Sequence, residues 1–285
     1  MKILMLPRKF LMQGKSLAGT INTLKKFILI RNQRFAINFS ELEEIRKGDL
    51  IVLLAQIEKS NISNNNKIFR VGRFTSVNIL KEVFKTTGTV FHTYHEISVP
   101  SLSDSEKQTL INPVVIDSVV RDLKKIGIKN YYFPFNIILT ELIGNAVEHG
   151  IQNKKINWWL THEIDRRAKV AKYTFVDMGS GIIHSHMKAG VPIKYKILGP
   201  RRIIKDSFFG ILGSSTKLSN RGRGLPQLRD MIERNIVSNF ILITNSVTLT
   251  FENNSFVTAR NPDFTGTYFS WTIDQNNYQK WKNSQ

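Results

Sequence analysis

The sequence predicts an α/β protein in two units, a small one followed by a larger one. Three observations carry that expectation. The first hundred residues alternate short apolar strands with helix-spaced segments, a β-α-β-α-β-α order that packs helices on a small sheet. Residues 97–107, ISVPSLSDSEK, lose hydrophobicity and gain Ser, Pro and charge, which marks a boundary. Beyond it, helical and strand patterns resume over a length that can bury its own core. The expected division is 1–96 for the first unit, 97–107 for a linker, 108–275 for the second unit and 276–285 for a tail.

The elements follow in order. KILMLP, residues 2–7, reads as a strand. LAGTINTLKKFILI, Leu17 to Ile30, has the helical spacing Leu17, Ile21, Leu24, Phe27, Ile28. FAINF, Phe35 to Phe39, alternates like a strand, and Ser40 caps a polar turn. LIVLLAQI, Leu50 to Ile57, is apolar enough for either a buried helix or a buried strand. Ile68 to Val71 is a short strand and Val77 to Phe84 an amphipathic helix. Asn112-Pro113 starts a helix running to about Lys125, with Asn as cap and Pro in the first turn. A second helix carries ELIGNAVEHG. Strands are expected at Ile156–Thr161, Tyr173–Val176, Phe240–Thr244, Val247–Phe251 and Tyr268–Ile273, and a helix around Met231.

Composition excludes several classes. There is no cysteine, hence no disulfide framework and no thiolate metal site. No run reaches the roughly 18 apolar residues that span a bilayer. The start, MKILMLPRKF, is broken by Pro7, Arg8 and Lys9 and lacks a cleavage site, so it reads as a strand rather than a leader, and a cytoplasmic location is expected. The net charge of +19 suits nucleic acid, an anionic surface or a phosphorylated ligand. It is spread along the chain: residues 1–100 hold 16 Lys/Arg against 7 Asp/Glu, so no single stretch looks like a nucleic-acid module. One dense patch stands out between Lys194 and Arg223, with eight basic residues and one acid, Asp206.

Four short motifs carry chemistry. In ELIGNAVEHG the polar Glu141, Asn145 and His149 stand four apart, beside a buried face of Phe135, Ile138, Leu139, Leu142, Ile143, Ala146 and Val147. By itself such a stripe is equally a polar helix edge. VDMGSGI places Asp177 at a strand end, followed by Gly179 and Gly181, where a backbone can turn tightly and a flat ligand can approach. GSSTKLSNRGRGLPQL puts Gly222 and Gly224 just before a helix that begins near Leu225. Backbone amides at such a terminus attract phosphate, and Lys217, Arg221 and Arg223 stand beside them. Neither Walker nor dinucleotide-fold spacing is present. Last, Gly266-Thr267 opens a closing strand. His184 and His186 form an HSH pair; without further ligands nearby, exposed histidines are the expectation.

Together and in this order the four motifs resemble the GHKL ATP-binding family of histidine kinases, DNA gyrase, MutL-type repair proteins and anti-sigma-factor serine kinases. The resemblance covers about residues 105–275, and ELIGNAVEHG is most similar to the anti-sigma serine-kinase branch. It implies an α/β sandwich, a mixed sheet with helices on one face, that binds ATP with Mg²⁺. Asn145 would hold Mg²⁺ and Glu141 would act as the catalytic base. Asp177 would accept from the adenine amino group, with Gly179 and Gly181 allowing close approach. Lys217, Gly222, Arg223, Gly224 and Leu225 would surround the phosphates. Thr267 would complete the adenine pocket, and residues 183–221 would form a lid. His149 receives no role.

Residues 37–59, INFSELEEIRKGDLIVLLAQIEK, together with VNILKEVFKTTG, resemble a STAS domain. The phosphorylatable Ser of such domains is replaced here by the loop around Lys47, Gly48 and Asp49. The expected function is a Mg-ATP-dependent regulatory protein with ATPase or protein serine kinase activity, its STAS-like unit sensing lid closure. The alternative is an ATP-gated interaction switch with little turnover, and nucleic-acid binding is the least favoured reading. A sensor histidine kinase is disfavoured because no His-bearing dimerisation helix precedes the domain, and no transducer domain follows it. A protein partner or protein substrate is expected, a homodimer stays open, and no membrane is expected.

Overall fold

The computed structural model describes residues 2–29, 35–38, 41–60, 67–70, 92–93, 113–149, 158–213 and 224–285. The N-terminal segment builds a parallel sheet in the order β1 (Lys2–Met5), β3 (Phe35–Asn38), β5 (Lys67–Arg70). Helices α1 (Leu17–Leu29) and α2 (Lys47–Ser60) are its crossovers. A two-residue ladder, β2 (Lys9–Phe10) with β4 (Glu44–Ile45), lies beside them. Of the stripe its spacing predicts, α1 buries Ile21, Leu24 and Phe27, while Leu17 is half-buried and Ile28 is exposed. The ambiguous LIVLLAQI is helical. Asp49, in the first turn of α2, accepts the Met12 and Arg46 backbone N–H groups at 2.9 and 3.3 Å, satisfying donors that a helix start leaves open nearby. The helix expected at Val77–Phe84 lies outside the described residues.

The second unit is an α/β fold, as the sequence predicts. α3 (Pro113–Arg121) runs into a 3₁₀ turn ended by Gly127 at φ 88°, where a left-handed residue reverses the chain. α4 (Phe133–His149) follows. The larger sheet has the order β6 (His92–Thr93), β7 (Trp158–Asp165), β8 (Val170–Asp177), β10 (Ser255–Asp274), β9 (Ser238–Glu252). The expected mixed sheet is, among the described strands, antiparallel throughout. Turns decide this. β7 and β8 are joined by four residues ending in Lys169 at φ 55°, and β9 and β10 by Asn253-Asn254, both at positive φ. Connections that short join only antiparallel neighbours.

Residues 240–251, expected as two strands, form the single strand β9, bent at Asn245 with φ 49°. The pairing register with β10 shifts at the same level, between Arg260, Phe264 and Thr267. Three helices follow β8: α5 (Ile182–Ala189), α6 (Ile193–Leu198) and α7 (Pro200–Phe208); α5 and α7 pack on the β9–β10 hairpin. Phe208 of α7 stands 5.8 Å from the rings of both Phe240 and Phe256. α8 (Gly224–Glu233) and α9 (Gln275–Lys282) complete the fold.

Both faces of the large sheet are covered. On β8, Ala171, Tyr173 and Phe175 join one core with Phe135, Leu139 and Leu142 of α4, while Val176 alternates to the other. There it meets Ile21, Leu24 and Phe27 of α1, Leu50 and Ile51 of α2, and Trp159, Ile243 and Tyr268 of the sheet. α2 approaches so closely that a Cβ on Gly48 would overlap Thr174 Oγ1. Lys47 Nζ donates to the His162 carbonyl at 3.0 Å. The Lys47–Asp49 stretch, expected as a loop, is therefore the first turn of α2 and is packed against β7 and β8. Among the described residues no helix is long and apolar enough to cross a membrane.

Candidate functional site

α4 positions the first group of residues. Its apolar positions from Phe135 to Val147 recur with helical period and are buried, except Ile137, which is half-buried at the edge. Glu141 and Asn145, one turn apart on the edge of that face, are half-buried. They line a cleft with Ile137, Leu225, Leu228 and Gly224. Gly224 opens α8, and a Cβ there would overlap the Glu141 carboxylate. Thus Glu141, Asn145, Gly224 and Leu225, expected at one site from two distant motifs, are brought together. The first-turn amides of α8 give this cleft a partial positive end that favours anionic groups.

The second group sits where β8 ends. Thr267 is the direct cross-strand partner of Asp177, and both are at least nine-tenths buried. Alternation along β8 and β10 turns both side chains to the α4 face, since Phe175 and Phe269, two residues away on either strand, belong to that core. Asp177 Oδ1 accepts the Gly179 N–H at 2.9 Å, a two-residue turn that pins the carboxylate to its own loop. Gly181 adopts φ 79° and is the N-cap of α5.

Three further residues build this corner and escaped the sequence reading of roles. Gly266, at φ 111°, is the one residue type that fits: a Cβ would overlap the Asp177 carbonyl oxygen. The Gly-Thr pair is thus the seat of the Asp177 turn. Thr244, the partner of Thr267 on its other side, accepts the Ile182 N–H at 2.9 Å and donates to the Gly266 carbonyl at 3.2 Å. Asn245 caps α5 from across the sheet. Its Oδ1 accepts the Ile183 and His184 N–H groups at 3.1 and 3.3 Å, and its Nδ2 donates to the Ser180 carbonyl at 2.9 Å. A signal for Asn245 existed in the sequence, because Asn is depleted in strand interiors and tolerates positive φ.

Lys217, Gly222 and Arg223 lie outside the described residues, as do the side chain of His149 and the later part of the expected lid. The two HSH histidines diverge, which corrects the expectation that both are exposed. His184 is exposed, whereas His186 is buried with Nε2 3.0 Å from Ser207 Oγ. Helical period separates them, because residues two apart on α5 cannot share a face. Among the described residues no cluster of three or more His, Asp or Glu could hold a metal ion.

No family model matches the chain, and no curated protein matches it. Among solved structures it is similar to the histidine kinase domain of a blue-light activated histidine kinase from Erythrobacter litoralis EL346. That match has 11% identity, covers 92% of this chain and 97% of that one, and has a TM-score of 0.28. At that TM-score it carries no weight for the fold or the site, which stand on the chain's own geometry.

Proposed function

We propose that the chain is a GHKL-type, Mg-ATP-binding regulatory protein with slow ATPase or protein serine kinase activity. The observation that carries this reading is the meeting of motifs distant in sequence. Asp177 and Thr267 pair side by side over a glycine that nothing else could replace, on the face covered by α4. Glu141 and Asn145 line one cleft with the N-terminus of α8. A buried carboxylate suits an amino group on a flat base, and a helix N-terminus suits phosphates.

The donors at the cleft fit a hard cation. An amide oxygen and a carboxylate, with few protein ligands in all, are what Mg²⁺ accepts when phosphates and waters fill its other positions. Asn145 would hold it, and the bound ion would neutralise charge on the phosphates. Glu141 would orient and deprotonate the attacking water or hydroxyl, Asp177 would select the base, and Gly179 and Gly181 would let it approach. Lys217, Gly222, Arg223, Gly224 and Leu225 would enclose the phosphates. The packing of α1 and α2 on the sheet face behind Asp177 supports coupling of the nucleotide site to the N-terminal unit, and through it to a protein partner.

The test is purified protein with Mg-ATP, followed by calorimetry, phosphate release and phosphoprotein formation. Glu141→Ala should keep binding and lose turnover, Asn145→Ala should lose the Mg²⁺-dependence of binding, and Asp177→Asn should weaken ATP without equal loss of inorganic phosphate binding. Wild-type protein that binds no ATP at millimolar nucleotide would overturn the proposal. Binding without turnover, unchanged in Glu141→Ala, would favour the ATP-gated switch.

A further inference from the structure

We infer that α6 and its basic surroundings form a docking site for an anionic lipid surface. Large aliphatic side chains rarely stand in water together on one short element. On α6, Ile193, Ile197 and Leu198 are 76, 82 and 56% exposed, and Ile193 and Ile197 are one turn apart on the same side. The display is rigid. Tyr195, between them, points inward and is buried, and its hydroxyl donates to Asp206 Oδ2 at 3.0 Å. The Gly199 N–H closes the helix on the Tyr195 carbonyl. With Tyr195 locked inward, the isoleucines are held outward.

Along this stretch of chain the exposed charge has one sign. Lys188, Lys194, Lys196, Arg201, Arg202 and Lys205 are all exposed. Asp206, the one acid from Met178 to Gly213, is buried and bound to Arg202 Nε at 2.8 Å. The whole chain carries +19.

These features together select the occupant. Exposed lysines and arginines on a strongly cationic chain seek an extended negative surface. Nucleic acid offers one, but a single-strand platform draws on exposed aromatic rings for stacking, and the apolar groups that α6 shows to water are the aliphatic Ile193, Ile197 and Leu198. An anionic bilayer interface offers negative headgroups and, just beneath, an apolar phase that accepts Ile and Leu. Shallow insertion plus a basic patch are two weak signals that suffice jointly. This is peripheral binding, distinct from a membrane span, and it does not depend on the nucleotide reading.

The experiment is co-sedimentation of the full chain with phosphatidylcholine vesicles, with and without an anionic phosphatidylglycerol fraction. Wild type should sediment only with the anionic vesicles, less so as salt rises. Ile193→Ser/Ile197→Ser and Lys194→Glu/Lys196→Glu should each lower partitioning by roughly tenfold or more, with unfolding temperatures unchanged because the sites are exposed. The chain has no cysteine, so Ile197→Cys accepts a single environment-sensitive fluorophore. Its emission should shift to the blue on anionic vesicles. The inference is overturned if wild type stays in the supernatant, or if the double serine variant partitions as wild type does, which would leave charge alone. An unshifted fluorophore on bound protein would also overturn it. So would self-association, seen by sedimentation velocity, that the serine variant abolishes, since a second copy would then be the occupant.

Discussion

Replacing Asn245 with Ala should loosen the corner that holds Asp177. Asn245 is 1% exposed and sits in the middle of β9 at φ 49°. Its side chain closes two open donors of the first turn of α5 and one carbonyl of the loop before it. Gly181, the formal N-cap, supplies no side chain. The three bonds to backbone groups, at about 1 kcal/mol each and partly offset by entering water, give roughly 2 kcal/mol, and a fourth, from Asn245 Nδ2 to Nδ1 of the exposed His184 at 2.9 Å, adds little. Ala in the left-handed region adds about 1 kcal/mol. With the usual unfolding entropy per residue, each kcal/mol is worth about 2 °C for a chain of this size, so the melting temperature should fall by roughly 5–6 °C. Circular dichroism melts would show it. Asn245→Gly should recover the backbone share alone, and Asn245→Asp should keep the two acceptor bonds and fall between. An alanine variant melting within about 1 °C of wild type would refute the reasoning, because the cap would then be dispensable.

Gly266→Ala should cost more than about 3 kcal/mol, since both the left-handed φ and the Asp177 carbonyl oppose a Cβ. Gly190→Ala, with φ 85° and open space, should cost only about 1 kcal/mol, and urea midpoints of the two variants give the comparison. Gly48→Leu should lift α2 from Thr174 and raise amide exchange in both α2 and β8; protection unchanged in β8 would refute close packing. Stability should respond to pH through two buried groups of opposite sign. Burial pushes His162 from 6.5 down to about 4, against the Asp122 carboxylate 3.0 Å from its Nε2, so the unfolded chain gains a proton first and stability falls as pH drops from 6.5 to 4. Burial pushes Asp49 from 3.8 up to about 6, so the folded chain keeps its proton longer and stability falls as pH rises from 3.8 to 6. The two nearly cancel in wild type. Asp49→Asn should therefore uncover a rise of up to about 3 kcal/mol between pH 4 and 6 in denaturant titrations, and a flat profile in that variant would refute it.

The elements were readable wherever one local rule decided them. α1 and α4 follow from apolar spacing and the α3 start from a helix-compatible Pro113; β7 and β8 were expected as two separate strands, and their close hairpin came only from the structure. The LIVLLAQI segment was ambiguous because its apolar run fits either period; in the structure it lies in α2, whose first turn carries the buried Asp49 bonded to Met12. β9 read as two strands because TNS interrupts its alternation. A positive φ at Asn245 lets one strand continue through a bend, and its bonds to Ser180, Ile183 and His184, with that from Asn261 to its carbonyl, hold the residue there.

By itself the sequence determined the α/β class, the polar Glu141 and Asn145 on the edge of α4, the Asp177 turn and the glycines, because each is a local pattern of side-chain period or backbone permissiveness. Only the tertiary structure decided that Thr267 stands opposite Asp177, that Gly224 closes on Glu141, and that the N-terminal helices cover the far face of the sheet. It also decided which residues of α6 meet water. Those facts depend on strand register and on contacts between residues tens to more than a hundred positions apart, as from Lys47 to His162. A pairing at such separation is chosen by the burial and hydrogen bonds it completes, and no short stretch of chain contains both partners.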